Sequence, residues 1–286
     1  MEVRAKKSLG QHFLCDLKVA QRIVEALSAP QPKQTICVAT LQNPSSNGAS
    51  SILLPRDVLE IGPGMGVLTQ YLLQREDIDL KAVELDGESV DYLLTHFPGI
   101  QGKLLQADYL RLPMDRVFNG PYRVIGNFPY NISSQIFFKI LDDKDRVPEV
   151  VGMVQKEVAE RIAEKPGSKT YGILSVLLQA WYDIEYLFTV EPGAFAPPPK
   201  VRSAVIRLVR NGRTSLGCDE KLFKQVVKTA FNQRRKTLRN ALKPLLNSAQ
   251  REIQKNELRF TQMLDLRAER LSVEDFIFLT NELDHS

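Results

Sequence analysis

Between residues 57 and 209 the chain alternates short apolar runs with amphipathic ones, and this alternation limits the folds open to it more than any other feature. "DVLEIG" (57–62), "LKAVELD" (80–86), "GKLLQAD" (102–108), "YRVIGN" (122–127) and "EVVGMVQ" (149–155) are brief and rich in Val, Ile and Leu, as strands buried on both faces are, and the first four close on Gly, Asp or Asn. Between them, "GVLTQYLLQR" (66–75), "ESVDYLLTHF" (88–97) and "SQIFFKILDD" (134–143) space their apolar residues at helical intervals. Strands joined through helices are parallel, so the pattern predicts an α/β fold, a doubly wound and mostly parallel sheet with ligands at the carboxyl ends of its strands. The helical stretches "KEVAERIAEK" (156–165) and "YGILSVLLQAW" (171–181) follow, and then two successive strands, "IEYLFTV" (184–190) and "SAVIRLV" (203–209). Such late strands predict an antiparallel edge.

Outside this core, residues 16–28 read as a helix with Asp16 as N-cap, and residues 29–56, rich in Pro, Ser, Gln and Asn, as a surface insertion. "NGRTSLG" (211–217) reads as a linker. Residues 219–283 read as wholly helical, with Phe223, Val226, Val227, Ala230, Phe231, Leu238, Leu242 and Leu245 on one apolar face. The expected division is therefore 1–211, with an N-terminal arm (1–15) and the insertion (29–56), followed by a small all-helical domain, 212–286.

Charge is unevenly placed. Eight of the 38 basic residues (Lys221, Lys224, Lys228, Arg234, Arg235, Lys236, Arg239 and Lys243) lie within 221–243 without one acid, leaving 30 basic against 34 acidic residues elsewhere. A local basic segment on a mildly acidic body predicts a polyanionic partner such as nucleic acid, and Arg4, Lys6 and Lys7 could extend that footprint. Three scattered cysteines (Cys15, Cys37, Cys218) and three histidines (His12, His96, His285) offer neither a disulfide framework nor metal-ligand spacing. No apolar run reaches the roughly 18 residues of a membrane span, and the charged start, "MEVRAKKSLGQHFL", lacks the apolar core of a secretory signal. A cytoplasmic protein without a metal and without a membrane segment is expected, monomeric by default.

Three strand ends carry candidate ligand contacts. In "VLEIGPGMG" (58–66), Gly62 and Gly64 allow close approach of a ligand to the backbone, although Gly-x-Gly-x-Gly is not the full dinucleotide fingerprint. Glu84 ends the next strand, placed to accept hydrogen bonds from ribose hydroxyls, and Asp108 ends the one after, placed to receive an adenine amine. Together they predict an adenosine-bearing ligand, with NAD left open. The fourth strand runs into Asn127-Phe128-Pro129-Tyr130. The lone pair of a planar amine is delocalised into its ring. Two acceptors gripping its hydrogens, the Asn127 side-chain oxygen and the Phe128 carbonyl, would favour a pyramidal, nucleophilic nitrogen. Pro129 would fix the direction of that carbonyl, and Tyr130 could stack on the base. No strong base is needed, since the cationic product nitrogen is acidic enough to lose its proton to water.

"KKSLGQHFL", "LEIGPGMGVLT", "VELD", "LLQAD", "GNFPYNIS", "VQKEVAERI", "KTYGILSVLLQ" and "FAPPPKVRSAVIRL" occur together and in order. In this combination the chain resembles the small-subunit ribosomal RNA adenine dimethyltransferases, over nearly its whole length apart from residues 29–56. The resemblance implies a Rossmann-like class I methyltransferase domain that uses S-adenosyl-L-methionine, with a small helical C-terminal domain. It further implies transfer of two methyl groups to each of two adjacent adenosines near the 3′ end of small-subunit rRNA, in the immature small ribosomal subunit. Carried over by motif, His12 and Leu14 line the cofactor site from the N-terminal arm. Gly62 lies against the methionine part, Glu84 on the ribose, Asp108 on the adenine, and Asn127 at the junction of cofactor and target base. Phe195 resembles the family aromatic that packs on the flipped-out adenine opposite Tyr130. Arg234, Arg235 and Lys236 fall in the basic segment expected to touch RNA. The chain departs from the family pattern in the long insertion, in Phe128 where Leu or Pro is commoner, and in His12 for a frequent Asn.

Three other readings compete. A glutamine methyltransferase of proteins also grips a planar amide with an Asn-Pro-Pro-Tyr loop, but "KKSLGQHFL", Phe195 and the basic helical segment argue against it. A large-subunit rRNA methyltransferase of the macrolide-resistance type shares most motifs, with "KTYGILSV" and "FAPPPKV" favouring the small-subunit family. A non-catalytic assembly or transcription factor would not require Asn127, Tyr130, Glu84 and Asp108 all intact.

Overall fold

A computed structural model describes residue 6 and residues 10–29, 54–246 and 258–284. The expected insertion therefore lies outside the described residues except at its ends, as do Arg4 and Lys7. The described chain forms two compact units, residues 1–159 with 185–212, and residues 160–184 with 213–286. Residues 160–184, which a division at residue 211 would give to the sheet domain, group with the helices.

The first unit is built on a seven-stranded sheet. In chain order its strands are β2 (Asp57–Ile61), β3 (Asp79–Glu84), β4 (Leu104–Gln106), β5 (Arg123–Asn127), β6 (Glu149–Gln155), β7 (Tyr182–Val190) and β9 (Ser203–Arg210), arranged β4-β3-β2-β5-β6-β9-β7. The first five pair in parallel, and β9 runs antiparallel to β6, with Gly152 opposite Ile206. The order reverses at β2, and the crevice over the carboxyl ends of β2 and β5 is where a doubly wound sheet takes its ligand. Two short strands, β1 (Phe13–Leu14) and β8 (Phe195–Ala196), pair antiparallel and tie the N-terminal arm to the segment before β9.

Helix α1 (Leu17–Glu25) starts where Asp16 accepts hydrogen bonds from the amides of Lys18 and Val19, and it buries Ala20, Ile23 and Val24 in the core. The helix expected over 66–75 is shorter, α2 (Thr69–Leu72), because Gly64 and Gly66 hold positive φ and delay its first turn. α3 (Gly87–His96) and α4 (Ser133–Asp142) cover the expected stretches. α5 (Lys156–Ala163) follows β6. In the second unit, α6 (Ile173–Gln179) buries Leu174, Leu177 and Leu178, α7 (Glu220–Asn232) buries Phe223, Val226, Val227 and Phe231, and Tyr171 just before α6 packs on Phe231. α8 (Leu238–Ala241) and the helices Leu258–Leu264 and Val273–Asp284 follow.

Candidate functional site

A cleft of about 320 Å³ opens over the carboxyl ends of β2, β3 and β5, within the size range of small-ligand sites. Gly62 ends β2 at φ +64°, and a side chain there would meet nothing within 4 Å, so its backbone faces free space. At Gly64 (φ +56°) the space is taken, since a Cβ would stand 3.0 Å from the Phe13 ring.

Glu84 ends β3 and is nearly buried. One carboxylate oxygen accepts the Gly64 amide (3.0 Å) and the other the Asp86 amide (2.9 Å). Burial pushes Glu84 above the usual carboxylate range, and these amides pull against it. Each oxygen keeps a second lone pair, so the residue that braces the glycine loop still has acceptor capacity on its cleft side. Asp86 in turn pairs with Lys6, tying the N-terminal arm to the start of α3. Asp108 lies just past β4 on the cleft wall. Its Oδ1 accepts the Leu110 amide at 2.9 Å and its Oδ2 stands 3.5 Å from Arg111.

The loop after β5 is held from three sides. Asn127 Nδ2 donates to the His12 carbonyl at 3.1 Å. A carbonyl only accepts, so this contact fixes which end of the amide is nitrogen and leaves Oδ1 to other partners. The Phe128 amide continues the β5–β6 ladder to the Met153 carbonyl (3.0 Å), while the Phe128 carbonyl accepts no hydrogen bond among the described residues. The Tyr130 hydroxyl is 2.5 Å from Ser203 Oγ, and its ring stacks on His12 with centroids 5.4 Å apart. His12 Nδ1 donates to the Pro197 carbonyl at 2.9 Å. Asn127 and Tyr130 are thus pinned to the N-terminal arm and to β9, segments more than 70 residues away in the chain.

His12, Leu14, Gly62, Gly64, Glu84, Asp108 and the whole Asn127–Tyr130 segment line one cleft. Phe195 does not. It is 4% exposed, paired with Leu14 across β1 and β8 and packed in the core. In the helical unit, Arg235 and Lys236 are exposed on the turn after α7. Arg234 is half-buried and held within its own unit, its Nε donating to Glu269 at 3.0 Å and its Nη2 to the Lys169 carbonyl. Glu60 is not among the residues that the sequence singles out, and its one local signal is an acid between apolar residues in "VLEIG". It is buried on β2, lines the cleft, and accepts from Thr69 Oγ1 at 2.7 Å.

The side chains lining the cleft include three carboxyls (Glu60, Glu84, Asp108) and, among the described residues, no lysine or arginine. A pyrophosphate would meet repulsion there, whereas a cationic adenosine derivative meets opposite charge and acceptors. The donor set fits S-adenosyl-L-methionine and not NAD. Among the described residues no group of His, Cys, Asp and Glu could hold a metal ion, and no helix is long and apolar enough to cross a membrane.

The family model for ribosomal RNA adenine dimethylase matches residues 2–285. The chain belongs to that family. Proteins named ribosomal RNA small subunit methyltransferase A are similar to this dimethylase along nearly its whole length. The one from Parabacteroides distasonis is 56% identical over 97% of this chain and 93% of its own, and that from Bacteroides thetaiotaomicron is 52% identical over 99% and 96%. Among solved structures, a dimethyladenosine transferase from Plasmodium falciparum superposes with a TM-score of 0.66 at 22% identity, covering 81% of this chain and 92% of the other. The 23S rRNA methyltransferase ErmE gives 0.63 at 22%, covering 95% and 99%. These two share the class I methyltransferase fold with the dimethylase.

Proposed function

We propose that this dimethylase transfers methyl groups from S-adenosyl-L-methionine to the exocyclic amines of adenines in small-subunit rRNA. The observation that carries the reading is the pair of acceptors at the end of β5. Asn127 Oδ1 is left unused by the bond of Nδ2 to His12, and the adjacent Phe128 carbonyl is equally free. Two acceptors on neighbouring residues grip the two hydrogens of one amine and draw its lone pair out of conjugation. Pro129 and the buried Phe128 ring hold that carbonyl in place, so orientation contributes most of the acceleration. Tyr130, fixed by Ser203 and His12, offers a stacking surface for an extruded base. Gly62 lets the methionine part approach, Glu84 holds the ribose, Asp108 the adenine, and His12 and Leu14 close the cleft from the arm. The bound cofactor supplies an electrophilic methyl group on sulfur. After transfer the amine nitrogen is cationic and loses its proton to water.

The finer reading is dimethylation of two adjacent adenosines near the 3′ end of the RNA, in an immature small subunit, by a cytoplasmic monomer. Arg235 and Lys236 contact RNA phosphates. Phe195 faces the extruded base only if β1 and β8 rearrange around it.

Labelled methyl transfer to unmethylated small subunits, beside large subunits and a release-factor protein, tests the whole reading. Dimethyladenosine in small-subunit RNA alone is expected. Label in large-subunit RNA or in protein would retain the cofactor but move the substrate.

A further inference from the structure

The ring on which an extruded base is to stack already carries another ring. His12 lies face to face with Tyr130, centroids 5.4 Å apart and planes inclined by 28°. Rings at that separation are in stacking contact, so no base fits between them. His12, Asn127 and Tyr130 line one cleft, and the His12 carbonyl accepts from Asn127 Nδ2. The covered face of Tyr130 is therefore the one beside the amine acceptors.

Ring and backbone of the arm are held unequally. The backbone is pinned at three places. A Cβ on Gly10 would stand 2.6 Å from Asn131 Oδ1, the His12 carbonyl holds Asn127 at 3.1 Å, and Phe13 and Leu14 pair with β8. The half-buried ring has only its stack on Tyr130 and one hydrogen bond, from Nδ1 to the Pro197 carbonyl. Rotation about its own side-chain bonds frees the ring and leaves the backbone carbonyl on Asn127.

We infer that the His12 side chain is a stand-in for the target base. Its ring covers Tyr130 while the base subsite is empty, and an incoming adenine displaces it. Adenine prevails for two reasons. Its two fused rings offer more stacking area than an imidazole, and its amine engages Asn127 Oδ1 and the Phe128 carbonyl, which His12 leaves unused. A base that lacks the second ring or the amine displaces His12 less well, so the exchange itself contributes to base selection. Because the His12 backbone stays in place, Asn127 keeps its orientation throughout. This inference rests on the adenine substrate proposed above and deepens that reading.

A permanent buttress for Tyr130 would have the opposite effect on rate, so substitution separates the two roles. The full chain is assayed for methyl transfer to unmethylated small subunits with S-adenosylmethionine saturating, and kcat/KM for the subunits is compared. His12→Asn keeps the backbone carbonyl and loses the stacking ring. It should raise kcat/KM by about three- to tenfold, the worth of one aromatic pair. His12→Phe stacks over a larger area and should lower it. Titration with S-adenosylhomocysteine checks that each variant still takes the cofactor. An unchanged or lower kcat/KM in His12→Asn that binds this ligand overturns the inference. Histidine-labelled NMR of the full chain gives a readout free of turnover, with His12 assigned by elimination in His96→Gln and His285→Gln. Its ring protons should lie upfield and return to their ordinary position in Tyr130→Leu. An unshifted His12 signal sinks this inference alone. A parent protein that methylates no adenine in small subunits sinks the substrate reading and this inference together.

Discussion

At the scale of single residues, charge state and hydrogen-bond direction decide what the cleft can do. Asn127→Ala removes one of the two acceptors. Methyl transfer should fall by about 10²–10³-fold or more, while titration with S-adenosylhomocysteine still finds a ligand. Full activity in that variant would remove Asn127 from the chemistry. Glu60 gives a prediction about stability. The folded protein keeps its proton up to about pH 8, whereas in the unfolded chain the carboxyl ionises near its ordinary value of 4.5. Between those values the folded state binds the extra proton, so stability falls as pH rises, by up to about 4 kcal/mol for this group. Urea unfolding of Glu60→Gln from pH 5 to pH 8 should therefore show a shallower loss than the parent. The same slope in both would mean that Glu60 is not the source.

At the scale of elements, the strand ends are aimed by packing beneath them. The ring of Phe128 rests on a cross-strand glycine pair, Gly126 of β5 and Gly152 of β6. A Cβ on Gly152 would come within 2.6 Å of that ring. Gly152→Ala should displace Phe128, with Asn127 and Pro129 beside it, costing about 1–3 kcal/mol. Turnover should fall more than ligand affinity. A variant with both intact would show the ring to be mere filling. At the other end of the sheet, Glu149 is fully buried and accepts from the Ser28 amide and hydroxyl and from Arg207, with Arg123 at 3.5 Å. It locks the exit of α1 to the starts of β5 and β6. Glu149→Ala would strand Arg123, itself fully buried, and should cost about 3–5 kcal/mol in chemical denaturation, without altering the cleft directly.

At the scale of the molecule, the cleft residues and the basic segment 221–243 fall in different units. Replacing Arg235 and Lys236 by Ala should leave stability unchanged and lower the log–log salt slope of subunit binding by about one per residue. Arg234→Ala should instead destabilise the helical unit by about 1–3 kcal/mol, since it leaves Glu269 without its partner. The sequence alone determined the parallel sheet, because buried strands must be apolar and crossover helices must be amphipathic. It also determined the strand-end positions of Gly62, Glu84, Asp108 and Asn127, because a strand's end coincides with a break in its own pattern. The tertiary structure decided what depends on partners distant in the chain. His12 orients Asn127 from 115 residues away. Arg234 is paired with Glu269, and Phe195 is buried against Leu14. Residues 160–184 group with the helices. Local pattern reports which face of an element is apolar; it carries no record of which other element that face will meet, and the meeting sets burial, hydrogen-bond direction and charge.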